Sequence, residues 1–296
     1  MVKAFKLMQR CAFLTMADTR DYHIYDHLLV EPLANKGWQV EMIAWDTATD
    51  WDQFDVVVTR SPWDYMDRLE EFLTVLETIE ASSARLENPL AMMRWNIDKR
   101  YLSKLAENGC LIVPTQFKTT LTREDIIDSF EHFNTDQIVI KPTVSASALN
   151  TFRVMRSNLS TYQDAILATF ESRCAMLQPF IDAVTEEGEY SLFYFNNQLS
   201  HAILKTPKPG DFRVQEEYGG NLKLITPSPE LLAAGNDALA SIEERLLYAR
   251  VDLVRLADNR FALMELELIE PSLYFNLDNA SPERFAQEFV KYLQIS

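Results

Sequence analysis

A chain of 296 residues, 47% apolar and 24% charged, has the composition of an ordinary globular protein with room for two or three small domains. A formal net charge of −16 and a pI near 4.7 argue against nucleic acid or an anionic membrane as the main partner. Three scattered cysteines (Cys11, Cys110, Cys174), no membrane-length apolar run and no signal-type apolar stretch after the basic start lead us to expect a cytoplasmic protein.

In the first third, strand and helix alternate. Cys11–Met16 is a short apolar strand candidate, and Asp18 is placed to cap a helix that runs to about Asn35 and stops at Gly37. Gln39–Ala44 alternates, and Phe54–Thr59 reads as a buried parallel strand. Helices are expected at about Arg68–Ala81 and Ile97–Glu107. A βαβ start of this kind binds ligands beyond the carboxyl ends of its strands, where Arg60-Ser61-Pro62-Trp63-Asp64-Tyr65 falls. Arg60 and Asp64 are therefore candidates to grip an amino-acid-like substrate.

The middle of the chain reads strand (Gln137–Lys141), strand (Thr151–Arg156), helix (about Ser160–Ser172), strand (Ala175–Phe180). Beyond it, Tyr190–Phe195 and Leu199–Lys205 flank Asn196-Asn197, a pair suited to a tight hairpin. A helix is expected at about Pro229–Arg245 and another opens at Ser281-Pro282.

Between those helices, Leu247–Leu256 and Arg260–Ile269 form a second hairpin. If Asp258-Asn259 are a two-residue loop, Asp252 lies across from Glu265 and Arg250 across from Glu267, while Val251, Leu253, Met264, Leu266 and Leu268 point the other way. Two carboxylates ~5 Å apart repel by about 3 kcal/mol at an effective dielectric of 20. A divalent cation removes that repulsion, and all-oxygen ligands suit Mg²⁺ or Mn²⁺. A solvated sheet face with Arg250 and Arg260 offsetting the acids is the alternative. Lys99, Lys141 and Lys205 stand at element boundaries, where phosphates need fixed cations.

These segments, in this order, resemble the ATP-grasp superfamily, over about Pro89–Leu277. The motifs are RSPWDY, WNIDKRYL, VIKPTVSAS, GDFRVQEEYGG, LLYARVDLVR and LMELELIEPSL. They are similar to those of glutathione-synthetase-like carboxylate–amine ligases, a group that includes the D-cycloserine-forming ligase. The resemblance implies an α/β ATP-grasp fold: an N-terminal βαβ pre-ATP-grasp domain over 1–96, a lid subdomain over 97–178, and a C-terminal subdomain with the metal-binding hairpin over 179–296. It also implies ATP and Mg²⁺ (or Mn²⁺) as cofactors, with small carboxylate and amine substrates; a homo-oligomer stays open.

By the same resemblance, Lys99 and Lys141 contact ATP phosphates, with Ser145 in the loop that covers them. Gln178-Pro179-Phe180-Ile181 meets the adenine, and Glu189 (or Glu186) the ribose. Lys205, Arg213 and Arg250 face the phosphates and an acyl-phosphate, and Asp252, Glu265 and Glu267 hold the metal. Two departures stand out. The covering loop TVSASALN has no glycine, leaving small Ser145, Ala146 and Ser147 to serve, and Glu267 stands where an asparagine is common. A kinase on the same scaffold and a nucleotide-binding module without turnover are the competing readings.

Overall fold

The computed structural model describes residues 8–145 and 148–294, so Ala146 and Ser147 of the covering loop lie outside the described residues. Three sheets follow one another along the chain. The first is parallel, in the order β2-β1-β3-β4, from β1 (Gln9–Thr15), β2 (Trp38–Ala44), β3 (Val56–Ser61) and β4 (Arg85–Glu87). Every residue of β3 is buried, as its β-branched run requires. The second is antiparallel, in the order β5-β8-β6-β7, from β5 (Gln116–Lys118), β6 (Gln137–Pro142), β7 (Phe152–Met155) and β8 (Ala175–Pro179). The third, also antiparallel, is β11-β10-β9-β12-β13, from β9 (Glu189–Phe195), β10 (Gln198–Thr206), β11 (Asn221–Ile225), β12 (Tyr248–Arg255) and β13 (Phe261–Glu267).

The helices are α1 (Val30–Ala34), α2 (Leu69–Glu80), α3 (Leu90–Ile97), α4 (Tyr101–Glu107), α5 (Arg123–His132), α6 (Leu159–Thr169), α7 (Ala183–Glu186), α8 (Pro229–Ala240) and α9 (Ser281–Gln294). None among the described residues is long and apolar enough to cross a membrane. The expected helix from Asp18 is not formed. Residues up to Tyr25 are irregular, a 3₁₀ turn covers Asp26–Leu29, and α1 begins only at Val30. Pro32 explains the late start: it is tolerated in a first turn but breaks a helix interior. The expected helix over Ile97–Glu107 is likewise broken. Asp98 is extended and its carboxylate accepts from Arg100 N at 2.9 Å, which turns Lys99 inward between α3 and α4.

One face of the first sheet packs its own cluster, with Ala12, Leu14, Val57 and Leu86 against Phe72, Leu76 and Ile79 of α2, and the other face shares its core with the third sheet. Cys11, Phe13, Val56 and Val58 pack with Phe193, Phe195 and Tyr248 of the third sheet and with Phe285 and Phe289 of α9. The β9–β10 hairpin turns on Asn196-Asn197, both at positive φ, as expected. β13 is an edge strand whose outer groups are satisfied by the backbone of Leu111 and Val113 at Leu263 and by side chains beyond it. Asn96 donates to Leu266 O (2.8 Å) and accepts from Leu268 N (2.9 Å), while the Tyr101 hydroxyl accepts from Leu266 N (2.8 Å).

Beyond β13 the chain leaves regular structure, yet six successive carbonyls each meet a side-chain donor. Asn88 Nδ2 donates to Leu268 O (2.8 Å), and the Tyr248 hydroxyl lies 2.7 Å from Ile269 O. Trp63 Nε1 donates to Glu270 O (2.8 Å) and Arg60 Nη2 to Pro271 O (3.0 Å). Arg250 Nη1 donates to Ser272 O (3.3 Å), and His201 Nε2 lies 3.0 Å from Leu273 O. A carbonyl only accepts, so the His201 proton is on Nε2, and the ring stacks on Phe193 at 4.3 Å. At about 1 kcal/mol net per neutral bond and more for the arginines, this clamp makes the loop as fixed as a strand.

Two expectations follow. His201 is 5% exposed, and burial pushes its pKa from 6.5 down to about 4. A depressed histidine contributes stability that is complete above pH 6.5 and is lost as pH falls toward 4, by about 3 kcal/mol. Denaturant unfolding at a series of pH values should show that loss in the wild type and a shallower slope in His201→Phe; parallel curves would exclude it. Arg60 and Asp26, 1% and 5% exposed, form an ion pair at 3.0 Å. Arg60→Met should cost about 3 kcal/mol, because it leaves a buried carboxylate alone, and adding Asp26→Asn should restore part of the loss. A single variant as stable as the wild type would show that the pair does not hold this end of β3.

Candidate active site

A chamber with about 1650 Å³ of open space, its mouth included, lies among the second sheet, the third sheet and the segment after β3. Among the described residues, the cations lining it are Lys99, Lys141, Lys205, Arg213 and Arg250, and the carboxylates are Glu189, Glu217, Glu265, Glu267 and Glu270. Five basic side chains face five acidic ones, so the wall is mixed, although the chain carries −16.

The hairpin register is the one expected, reached by a different route. Arg250 pairs with Glu267 and Asp252 with Glu265. However, Leu256 N donates to Arg260 O (2.8 Å), so the loop holds Ala257, Asp258 and Asn259, the last at φ 67°. Leu253 then pairs with Leu263, which leaves Met264 as an unopposed bulge residue. The extra loop residue and the bulge cancel, restoring the register at the acids. Val251, Leu253, Leu266 and Leu268 are buried as expected, whereas Met264 is turned to the chamber wall, where it packs with Val113, Val184 and Val214.

Asp252 is the buried centre of the charge network. Its side chain is 4% open; Arg250 donates to it at 3.0–3.2 Å, Lys205 lies 3.4 Å away, and the Ser191 hydroxyl donates to it. Burial works against its charge, but Arg250 and Lys205 outweigh that and hold it below the usual range. Arg250 also pairs with Glu267, and Lys205 with Glu189. Lys99 Nζ lies 3.1 Å from Glu265 and donates to Ser145 O at 2.5 Å, tying the start of the covering loop to the hairpin. Lys141 is depressed by burial and then by Lys99, which its acidic neighbours only partly offset.

Glu267 behaves differently from Asp252. Burial and the neighbouring carboxylates push it up to about 8 in spite of Arg250. The 30% of its side chain that is open faces the chamber, where bulk water does little to hold its charge. Asp252, Glu265 and Glu267 offer only carboxylate oxygens, a donor set that fits Mg²⁺. Among the described residues no three His, Cys, Asp or Glu already converge as a metal cage, because Arg250 and Lys99 hold these oxygens.

Other expected residues are distributed as follows. Gln178, Pro179, Phe180 and Ile181 line the chamber beside Val113, Val184 and Val214. The Gln178 amide donates to Thr115 (2.9 Å) and Phe180 N to Gln137 O (2.9 Å), so those groups are engaged within the protein. Ser145 lines the chamber, and Glu186 is exposed on α7. Arg213 reaches the wall, held by Asp211 at 2.8 Å and lying over Tyr218 at 3.9 Å.

Arg60 and Asp64 do not reach the chamber. Arg60 is consumed by Asp26 and Pro271, and the exposed Asp64 accepts from Trp45 Nε1 at 2.7 Å. Their neighbours take the position instead. Trp63, Tyr65, Glu270, Ser272 and Tyr274 line that end, with the Tyr65 hydroxyl donating to Glu270 Oε1 at 2.7 Å. The signal for them was present in RSPWDY at a strand's carboxyl end and in LIEPSL.

A family model described as the N-terminal domain of the D-cycloserine synthetase DcsG matches residues 11–88. The cycloserine biosynthesis protein DcsG of Streptomyces lavendulae is 30% identical over 285 residues, covering 90% of this chain and 93% of the relative. The crystal structure of D-cycloserine synthetase DcsG superposes with a TM-score of 0.86 at 29% identity, over 96% of this chain and 99% of that one. The ATP-grasp ligase PsnB, solved with a precursor variant, Mg and ADP, shares the fold alone, with a TM-score of 0.67 at 12% identity over 97% and 99% of the chains. Together with a hairpin that aligns Asp252 with Glu265 and Arg250 with Glu267, these matches show that the chain belongs to the DcsG family of ATP-grasp ligases and is an enzyme of that type.

Proposed function

We propose that this enzyme uses Mg-ATP to activate an amino-acid-like carboxylate as an acyl-phosphate and joins it to an amine, releasing ADP and phosphate. Ring closure within one molecule, as the relative's name indicates for cycloserine, is the product type that fits best. The observation that carries the reading is the mixed wall. A triphosphate entering the chamber meets Glu265 and its acidic neighbours as well as the cations, and positive charge that comes with it turns that repulsion into attraction. Carboxylates kept at the wall beside lysines and arginines are what an enzyme that takes its nucleotide with a metal requires.

In this reading Asp252, Glu265 and Glu267 would hold Mg²⁺, whose charge neutralises the phosphate oxygens. Lys99, Lys141 and Lys205 cradle the phosphates, and the apolar wall at Val113, Val184, Val214 and Met264, next to Gln178–Ile181, takes the adenine. Glu189 is set for the ribose. The substrate carboxylate oxygen attacks the γ-phosphorus and the bond to the ADP oxygen breaks. The amine nitrogen then bonds the acyl carbon, and the carbon–oxygen bond breaks with its electrons leaving on phosphate. Arg213 and Arg250 steady the acyl-phosphate, so the chain works by positioning and fixed charge.

The test is a coupled assay of the purified chain with a ureido-serine as substrate. ADP and free phosphate should appear in equal amounts and only with the carboxylate present. Glu265→Gln, nearly the same shape, should lower the rate by more than about 100-fold while the chain stays folded. AMP and pyrophosphate as products would overturn the acyl-phosphate route, and a phosphorylated product without free phosphate would make the enzyme a kinase.

A further inference from the structure

One chamber carboxylate is enclosed yet forms no ion pair. Glu189, Asp252, Glu265 and Glu267 each pair with a lysine or arginine, and Glu217 is exposed on a 3₁₀ turn. Glu270 is less open and forms no ion pair among the described residues; its side chain accepts from the Tyr65 hydroxyl, at 2.7 Å. Its position is not a matter of chance. Its own carbonyl accepts from Trp63 Nε1, and the carbonyls on either side are held by Tyr248 and Arg60. The RSPWDY segment thus spends Arg60, Trp63 and Tyr65 on aiming one carboxylate into the chamber. Tyr22, packed on Trp63 at 5.6 Å, and Tyr274 add aromatic surface there.

We propose that Glu270 is the recognition site for the α-ammonium of an amino-acid substrate, with Trp63 and Tyr65 as the residues that position it. This rests on the ligase reading given above. A carboxylate away from bulk water and without a directly paired cation is costly, and burial pushes Glu270 up to about 7 although Tyr65, Lys99 and Arg250 work against it, so a ligand bringing positive charge is favoured over a neutral one. The aromatic walls favour a compact cation and do not pair with a second carboxylate. Bonded to Glu270, the ammonium keeps its proton and is a poor nucleophile. The amino group read here is therefore a mark of the substrate, and the nitrogen that attacks the acyl-phosphate is a different one.

The experiment compares a ureido-serine with the counterpart in which hydrogen replaces the α-amino group, in the wild type and Glu270→Gln. The wild type should prefer the amino acid by about 100-fold in kcat/KM. Glu270→Gln should lower kcat/KM for the amino acid to near that of the counterpart, chiefly through KM, and change the counterpart's by less than about 3-fold. Tyr65→Phe should show a weaker form of the same selective loss. Nucleotide binding and the Mg²⁺ dependence of the rate should be those of the wild type. Equal losses on both compounds would make Glu270 merely structural, and a shifted Mg²⁺ dependence would make it a metal ligand; either overturns the proposal. A wild type that discriminates poorly does so too. A wild type that releases no ADP with either compound overturns the ligase reading itself.

Discussion

The constraint on which the rest of this structure depends is the burial of Asp252. It is almost closed to solvent, and three donors, Arg250, Lys205 and Ser191, converge on it. An isolated charge there would be strongly unfavourable, so the donors must be present and correctly placed. Each donor in turn fixes another group. Arg250 crosses to Glu267 and reaches the Ser272 carbonyl, and Lys205 holds Glu189. Four strands, β9, β10, β12 and β13, are thereby locked in one electrostatic register on the chamber face. Burial raises Arg250 and Lys205 no obstacle to charge, because the carboxylates outweigh it. The chamber's charges come preformed, in positions where a ligand exchanges partners with them instead of creating them.

The second consequence concerns the first sheet. In a parallel sheet the strand ends are the expected ligand site, and here the end of β3 does serve the chamber, though indirectly. Arg60, Trp63 and Tyr65 act on the Glu270–Pro271 turn from one side, while Tyr248, Arg250 and His201 act on the same stretch from the other. The loop after β13 has no strand partner, and its carbonyls would otherwise need water or strain. Side chains from two sheets replace the missing ladder. This is why Arg60 is structural although it stands at a strand's carboxyl end: its guanidinium is the only cation that meets Asp26 among the described ion pairs.

Much of the architecture was legible because β-branched runs, paired asparagines and helix caps have local causes. β3 lies within two residues of the expected strand, the Asn196-Asn197 hairpin is formed, and α9 opens at Ser281 as its Ser-Pro start implies. The failures also have causes. Pro32 forbade the long first helix, and Asp98 broke the helix that was expected to carry Lys99. α5 has a local cause as well, the Thr122–Asp125 capping box at its start. The acid-bearing hairpin is the instructive case, since the expected pairs formed although the loop is one residue longer. A slip of one would have turned the acids into the core, so the Met264 bulge had to absorb it. Nothing in a period-2 pattern separates those two routes. Glu270 was not assigned because its role depends on Tyr65, 205 residues away.

The scarcity of glycine bears on how the chamber is built. Seven glycines serve 296 residues, and none lies in the segment 143–150. Three of those present sit where a side chain has no room, Gly235 of α8 against the side chains of Tyr194 and Leu192 and two others against backbone. A Cβ on Gly188, at φ 123°, would stand 2.6 Å from Lys205 O, and one on Gly220 would stand 2.1 Å from Val214 O. Gly188 lets β9 begin flush against β10, and so sets Glu189 beside Lys205. Gly220 lets the chain fold back on Val214, the residue next to Arg213, and so holds the apolar and basic walls together. At Gly188 and Gly220, then, glycine brings backbone against backbone beside the charged groups. The start of segment 143–150 is held instead by Lys99, which bonds the Ser145 carbonyl with its side chain and the Thr143 carbonyl (2.8 Å) with its backbone. In the proposed reaction, phosphates that draw Lys99 toward themselves would also pull on that segment through those two bonds, with no glycine hinge.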